Sequence, residues 1–198
     1  GFSGAGKGTV MKRLLEKYDD YALSVSVTTR APRPGEEDGI AYFFRSREEF
    51  EQMICKDQLI EYAQYVENYY GTPKAYVEEQ LSAGRDVILE IEIQGARKIK
   101  KKFPEAVLVF VTAPSMEELK ERLVGRGTET KEVIRQRLAR AAQEAEGGEE
   151  DDYLLVNDQL DEAVDRLHNI IQSEHFAMKR NLDFIHEIQA QAARFMEQ

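Results

Sequence analysis

Cysteine and tryptophan are almost missing from this sequence of 198 residues, which contains one cysteine, Cys55, and no tryptophan. A single cysteine excludes an internal disulfide framework and a four-cysteine metal site. No secretory signal is visible, so a reducing cytoplasm is the expected location. The histidines, His168, His175 and His186, are irregularly spaced, which favours surface or packing roles over a metal site.

Long apolar runs are lacking as well. The longest, Ala106 to Val111, suits a buried strand and is too short for a membrane span, so no membrane partner is expected. Acidic residues outnumber basic ones by 37 to 27. The resulting net charge of −10 argues against a general nucleic-acid binder but leaves room for a local basic site. Hydrophobic residues make up 42% of the chain, enough for the core of one domain with insertions.

Strand and helix patterns alternate along the chain. Val87 to Ile93 and Ala106 to Thr112 are almost continuously apolar, as strands buried on both faces are, and a helix pattern follows each. This alternation predicts an α/β fold with a parallel, doubly wound core sheet. The other predicted strands are 23–29, 41–44, 59–66 and 154–156, and the predicted helices are 9–17, 47–54, 73–84, 96–102, 115–124 and 160–198, the last broken near Asn181.

Local signals predict where several helices begin. Ser46 with Glu49, and Ser115 with Glu118, have the spacing of a capping box. Thr72 is expected to cap the helix that starts at Pro73, after a turn at 68–71.

Two stretches fit the layered core poorly. Residues 30–84 mix short strands and helices, and residues 125–152 form a polar helix flanked by glycines and an acidic run. Both are therefore expected to be insertions on a sheet scaffold.

A glycine-rich loop opens the chain. The run from Gly1 to Thr9 matches the P-loop pattern through Lys7, with Gly8 where the strict pattern has Ser or Thr. Its glycines let backbone N–H groups converge on phosphate, and Lys7 can reach the β- and γ-phosphates. A simple glycine-rich turn before a helix is the alternative. Because no strand precedes this loop, we expect further residues ahead of Gly1.

Two carboxylates follow a hydrophobic strand. Glu90 and Glu92 come at the end of Val87 to Ile93 and lie on one face of an extended chain. In P-loop proteins such an acid holds Mg²⁺ or its water shell, so Glu90 and Glu92 are predicted metal residues. Thr9, the first hydroxyl residue after Lys7, is the third, with a water between it and the ion. A solvated strand end is the alternative.

Two arginines are spaced by prolines in Arg30-Ala31-Pro32-Arg33-Pro34. Residues before proline prefer extended conformations, and a polyproline-like segment has about three residues per turn, so Arg30 and Arg33 share one face. Their guanidinium groups can converge on one phosphate dianion. Surface ion pairs with Glu36, Glu37 or Asp38 are the alternative.

Together these motifs closely resemble the guanylate kinase family over nearly the whole chain. The matching segments are Gly-Phe-Ser-Gly-Ala-Gly-Lys (1–7), Ser-Val-Thr-Thr-Arg-Ala-Pro-Arg-Pro-Gly-Glu (26–36), Asn-Tyr-Tyr-Gly-Thr (68–72), Glu-Ile-Gln-Gly-Ala (92–96), Gly-Arg-Gly-Thr-Glu (125–129) and Val-Asn-Asp (156–158). Enzymes of this family move the γ-phosphoryl group of ATP to GMP.

The resemblance implies a P-loop three-layer α/β/α fold with a parallel core sheet. The core would be 1–29, 85–124 and 153–198, with a GMP-binding insertion at 30–84 and a helical lid at 125–152. It also implies that Arg30, Arg33, Tyr42 and Tyr70 bind the GMP phosphate. The guanine contacts it implies are Ser26, Glu61, Thr72 and Glu92.

The same resemblance implies an ATP site with Mg²⁺. Arg126 and Arg137 would be lid arginines that act with Lys7 in catalysis, whereas Arg135 and Arg140 are expected on a solvated face, paired with Glu132 or Glu144. The ATP contacts would be Ser3, Gly4, Ala5, Gly6, Lys7, Gly8, Thr9, Arg126, Arg137 and Asn157.

Two other functions stay open at this point. One is a kinase of the same fold for another monophosphate. The other is a non-catalytic guanylate-kinase-like module that binds phosphorylated peptides through the arginine pair. The oligomeric state, monomer or homo-oligomer, does not follow from the sequence.

Overall fold

Helices and short strands alternate through the computed structural model, which describes residues 1–65, 67–125, 131–145 and 148–196. The helices are α1 (Lys7–Lys17), α2 (Arg47–Cys55), α3 (Lys74–Ser82), α4 (Ile93–Lys102), α5 (Met116–Gly125), α6 (Lys131–Ala145), α7 (Leu160–His175) and α8 (Leu182–Met196). The strands are β1 (Tyr21–Ser24), β2 (Val27–Thr28), β3 (Phe43–Phe44), β4 (Leu59–Tyr65), β5 (Asn68–Pro73), β6 (Asp86–Leu89), β7 (Val109–Thr112) and β8 (Tyr153–Val156). Single 3₁₀ turns occupy Gly148–Glu150 and Met178–Arg180.

Two of the parallel strand pairs stand outside the sheet described below. β1 pairs with β6 from Tyr21 opposite Asp86, and β7 pairs with β8 from Val109 opposite Tyr153. A cavity of about 350 Å³, with mostly apolar walls, lies between β6 and β7. Parallel pairs connected through helices confirm the predicted α/β class.

A separate sheet is built by residues near the first insertion. Its strand order is β3-β2-β5-β4, with β2 parallel to β3 and antiparallel to β5. β4 and β5 pair antiparallel, which sets Glu61 directly opposite Thr72. The sheet thus holds side chains from both strands against the same face.

Three local predictions are wrong, each because tertiary pairing overrides a local signal. The predicted strand 23–29 is split between β1 and β2, which belong to different sheets. The predicted turn at 68–71 is part of β5, because its residues pair with both β2 and β4. Thr72 does not cap α3, since its hydroxyl donates to Glu61 instead and the helix begins at Lys74.

Other signals are confirmed. The Ser46 hydroxyl accepts the N–H of Glu49, and the Glu49 carboxylate accepts the N–H of Ser46, which completes the capping box of α2. The predicted break in the last helix lies at Asn181, whose side-chain amide donates to the carbonyls of His175 and Ala177. In the described ranges, no helix has both the length and the apolar character needed to cross a bilayer.

The main hydrophobic core lies among α1, α5, α7 and the β7–β8 pair. Leu14, Leu119 and Leu155 are almost completely buried in it, together with Val164 of α7. This core anchors the glycine-rich loop, because α1 begins where that loop ends and buries its apolar side chains in the core.

Leu155→Ala should lower the free energy of unfolding by about 2–5 kcal/mol, because it leaves a cavity in the core. Leu155 is 1% exposed, whereas its neighbour Leu154 on the same strand is 64% exposed. Leu154→Ala is therefore the matched control and should change stability by less than about 0.5 kcal/mol. Urea unfolding of both variants checks this, and equal effects would contradict the assignment of the core.

Candidate active site

One cavity joins the glycine-rich loop to the first insertion. Its volume is about 200 Å³. Most of the predicted site residues share its wall. Those residues are Ser3, Gly4, Gly6, Lys7, Gly8, Ser26, Arg30, Arg33, Tyr42, Glu61, Tyr70, Glu90, Glu92 and Arg137. Cations of the loop, the proline-spaced segment and α6 therefore surround one space.

The loop backbone has the form that its glycines allow. Gly4 and Gly6 have φ angles of +94° and +85°, a left-handed region in which a side chain would be strained. Gly6 caps α1, so the N–H groups of the first helical turn point towards the cavity end of the loop. The ammonium of Lys7 donates to the carbonyls of Gly1 and Phe2, at 3.0 Å each.

Two predicted ATP residues lie behind the cavity wall. Ala5 is completely buried, and Asn157 is 6% exposed. The Asn157 side-chain amide donates to the Ala5 carbonyl at 2.9 Å, and the backbone carbonyl of Asn157 accepts from the Arg122 guanidinium at 2.9 Å. Asn157 therefore braces the loop from behind, at the end of β8.

Arg30 is held in place by three neighbours. Its Nη2 donates to both carboxylate oxygens of Glu36, at 2.9 and 2.8 Å, and its guanidinium lies 5.4 Å from the centre of the Tyr42 ring. Its Nη1 donates to the Ala31 carbonyl at 2.7 Å. The ion pair weighed from the sequence is present, yet Arg30 still lines the cavity with Arg33.

Glu36 also ties Arg33 to the same turn. Its carboxylate accepts the Arg33 N–H at 2.7 Å, and its own N–H donates to the Arg33 carbonyl at 3.0 Å. Burial opposes the charge on Glu36, but the Arg33 N–H and the Arg30 guanidinium together hold its pKa below the ordinary value.

The two predicted phosphate tyrosines are adjacent. The rings of Tyr42 and Tyr70 are 6.1 Å apart and meet edge to face. Burial, with the charge of Glu90 as a smaller cause, raises the pKa of Tyr42 to about 12. Tyr42 therefore stays a neutral hydroxyl, able to donate a hydrogen bond, at any physiological pH.

Glu61 is a buried carboxylate on the cavity wall. It is 6% exposed, and its Oε1 accepts a hydrogen bond from the Thr72 hydroxyl at 2.8 Å. Burial raises the pKa of Glu61 above its ordinary value, against the smaller effects of Thr72 and the charge of Lys98. Thr72 itself is fully buried, so it acts on the cavity through Glu61.

Glu90 and Glu92 follow β6 directly and both line the cavity. A methyl group on Gly8 would lie 3.5 Å from Oε2 of Glu90, so this carboxylate lies over the loop. Thr9 is exposed on the first turn of α1. Within the part of the chain that the structure describes, no group of three or more His, Cys, Asp or Glu side chains is arranged to hold a metal.

Helix α6 contacts the loop through one predicted arginine. Arg137 of α6 donates to the Ser3 hydroxyl at 2.9 Å. Arg135 pairs instead with Glu132 on an exposed face, as expected. Arg126 and the side chain of Arg140 lie outside the described residues.

Some cavity residues had no role from the sequence. Gly95 lines the cavity, although the sequence marks it only as part of the matching segment 92–96. Glu36 does not line the cavity and acts on it through Arg30 and Arg33. Ala63 and Gly71 reach the cavity wall through the pairing of β4 with β5, and Ile91 reaches it in the segment between β6 and α4. None of the three carries a chemical signal of its own. Gly95 carried no such signal, because the predicted helix began at Ala96, whereas α4 begins at Ile93 and includes Gly95 in its first turn.

The chain matches the sequence model of the family described as "Guanylate kinase" over residues 1–174. It is 54% identical to a guanylate kinase of Oceanobacillus iheyensis over 180 residues, which cover 91% of this chain and 87% of that protein. It is 56% identical to a guanylate kinase of Streptococcus thermophilus over 181 residues, with the same shares.

A solved structure is also similar. The crystal structure of a guanylate kinase from Anaplasma phagocytophilum matches with a TM-score of 0.74 and 37% identity, covering 87% of this chain and 84% of that one. The sequence match over residues 1–174 includes every residue that lines the cavity.

Glu61→Gln should stabilise the ligand-free protein at about pH 8 and have little effect at about pH 4. Because the pKa of Glu61 is raised by folding, the folded state binds more protons than the unfolded state just above the ordinary glutamate pKa, and stability is lost as pH rises through that window. The gain is about 1.4 kcal/mol for each unit of the shift.

Urea unfolding at the two pH values measures this difference. The control is Glu37→Gln, since Glu37 is exposed. A Glu61→Gln protein that is no more stable than the parent at about pH 8 would contradict the assigned environment.

Proposed function

The chain belongs to the guanylate kinase family, and we propose that it transfers the γ-phosphoryl group of ATP reversibly to GMP, giving ADP and GDP. The observation that carries this proposal is the shared cavity, in which Lys7 of the phosphate loop and the Arg30–Arg33 segment face one space. A nucleotide bound at Lys7 and a nucleotide bound at the Arg30–Arg33 segment meet phosphate to phosphate in this cavity.

GMP occupies the side of the cavity that the first insertion builds. Arg30 and Arg33 bind its phosphate, and the neutral hydroxyls of Tyr42 and Tyr70 add hydrogen bonds without further charge. Guanine presents two donors, N1–H and the exocyclic amine, beside the O6 acceptor. The Glu61 carboxylate accepts both donors.

The remaining guanine contacts follow from the same orientation. Ser26 donates to O6 and Glu92 faces the base, while Thr72 acts by holding the Glu61 carboxylate. Adenine would present an acceptor to Glu61 and leave a buried charge unpaired, which is how such a site rejects an analogue.

ATP occupies the side that the phosphate loop builds. The N–H groups of Gly4, Gly6 and Gly8 surround its phosphates, and Lys7 leaves the Gly1 and Phe2 carbonyls to bind the β- and γ-oxygens. Asn157 contributes by bracing the loop, and the hydroxyls of Ser3 and Thr9 are further polar contacts.

The residues present fit Mg²⁺. This ion prefers oxygen ligands and keeps several of its waters, and the Glu90 carboxylate lies over Gly8 at the loop. Glu90, with Glu92 and Thr9 through water, would hold the ion, which when bound neutralises charge on the phosphates.

Transfer needs positioning and neutralisation of charge rather than a general base. An oxygen of the GMP phosphate, already negative, attacks the γ-phosphorus of ATP. The bond between that phosphorus and the β,γ-bridging oxygen breaks, and ADP leaves with this oxygen. Lys7 and Arg137, with Arg126, stabilise the charge on the transferred group. Residues 125–152 act as a lid that excludes water, and residues 30–84 act as the GMP-binding insertion on a core of the remaining segments.

Formation of ADP that depends on GMP is the direct test of this function. With ATP and Mg²⁺, GMP should support turnover, whereas AMP and dTMP should not. Turnover on another monophosphate would favour a different kinase, and GMP binding without ADP formation would favour a non-catalytic module.

A cytoplasmic location, where ATP and GMP are available, is part of the same proposal.

Lys7→Ala should reduce turnover by at least about 10²–10³-fold, the size of loss seen when one charge-stabilising donor is removed. Circular dichroism and urea unfolding should show a folded protein. The control is Lys12→Ala, because Lys12 is exposed on the same helix. A folded Lys7→Ala protein with nearly normal kcat would disprove the mechanism.

A further inference from the structure

Gly95 lies directly against the Glu61 carboxylate. It is buried in the first turn of α4. A methyl group on its Cα would lie 2.5 Å from Oε2 of Glu61 and 3.1 Å from its Cδ. These distances are shorter than a carbon–oxygen contact of about 3.3 Å, so no side chain fits at position 95 while the carboxylate keeps its place.

The carboxylate is held from its other side as well. Its Oε1 accepts from the Thr72 hydroxyl at 2.8 Å, and strand pairing sets Glu61 opposite Thr72. Thr72 and Gly95 together therefore define one position for the two oxygens.

Gly95 also brings the carboxylate near the start of a helix. The N–H groups in the first turn of α4 have no carbonyl partner within the helix, and the preceding Glu92 makes no side-chain capping bond to them. The positive end of the helix dipole favours the charged form of a nearby carboxylate. A side chain at position 95 would push Glu61 away from that end.

We propose that Gly95 is a positioning residue that sets the nucleotide selectivity of the enzyme. Its lack of a side chain holds the Glu61 carboxylate where it accepts both donors of guanine. This inference rests on the proposed function, because it takes Glu61 as the acceptor for the base.

A comparison with Gly71 separates this role from a purely structural one. A methyl group on Gly71 would meet Phe50 and Leu59 at 3.0 Å and the Glu61 backbone carbonyl at 3.1 Å, so the core and the chain itself would have to move. At Gly95 the obstacle is the end of one side chain, which can rotate away. Such a rotation costs the fold little but removes the carboxylate from the base.

Gly95→Ala should therefore lower kcat/KM for GMP by up to about 10²-fold, mainly through KM, and reduce the preference for GMP over AMP. Its unfolding midpoint in urea should stay close to that of the parent, because alanine favours a helix more than glycine does. Gln94→Ala is the control, since Gln94 is the exposed neighbour in the same turn. It should change neither quantity.

A double variant tests whether the two residues act on each other. Glu61→Asp shortens the side chain by one methylene and so makes room for the methyl group. In Gly95→Ala/Glu61→Asp, kcat/KM for GMP should be close to that of Glu61→Asp alone. If the two losses multiply instead, the residues are independent and the inference is wrong. The inference is equally wrong if Gly95→Ala unfolds the protein with or without Glu61→Asp.

Glu61→Gln in the same assay separates this inference from the proposed function. If Glu61→Gln leaves the preference for GMP over AMP unchanged, the guanine-binding role of Glu61 is wrong, and the role of Gly95 falls with it. If Glu61→Gln lowers that preference and Gly95→Ala does not, only the role of Gly95 is wrong.

Discussion

The site depends on two groups of cations that face one cavity in an otherwise acidic molecule. Lys7 and Arg137 lie on the loop side, and Arg30 and Arg33 lie on the side of the insertion. The whole chain carries a net charge of −10, so this cavity is where an anion meets concentrated positive charge. Two phosphate groups would repel each other strongly at bonding distance, and the surrounding cations reduce that repulsion. The rest of the fold holds these two groups of cations around the same cavity.

One counter-charge and several neutral acceptors hold these cationic residues in place before any nucleotide binds. Glu36 fixes Arg30 and the Arg33 backbone in one turn, Lys7 rests on two loop carbonyls, and Arg137 bonds to Ser3. An arginine that is already oriented loses less conformational freedom when a phosphate arrives. These contacts therefore contribute to affinity even though none of them is a contact to the nucleotide. They also help to explain how closely spaced cations are tolerated in the free protein, since the side chains of Lys7, Arg30 and Arg137 each donate to an oxygen.

Much of the site could be predicted from the sequence, because many of its residues lie in short segments of unusual composition. The glycine-rich loop and the proline-spaced arginines each combine a backbone constraint with a charge, and both line the cavity as expected. The predictions that failed concern residues whose roles depend on contacts with segments far away in the sequence. Thr72 has the local pattern of a helix cap, yet strand pairing sets it opposite Glu61, and its hydroxyl is used there. Gly95 carries no functional group, so its importance becomes visible only when the neighbouring carboxylate is in place.

The proposed selectivity depends on Glu61, a carboxylate whose charge the free protein buries at a cost. Burial raises the pKa of Glu61, which means that the charged carboxylate is more costly in the fold than in water. One oxygen is paired with Thr72, and a base that offers two donors pairs the carboxylate further and recovers part of that cost. A base that offers an acceptor recovers none of it. With Glu61 as the proposed acceptor for guanine, the cost of burying its charge is carried by the fold and relieved by the right base, so the stability of the free protein and the proposed discrimination between purines are coupled through one side chain.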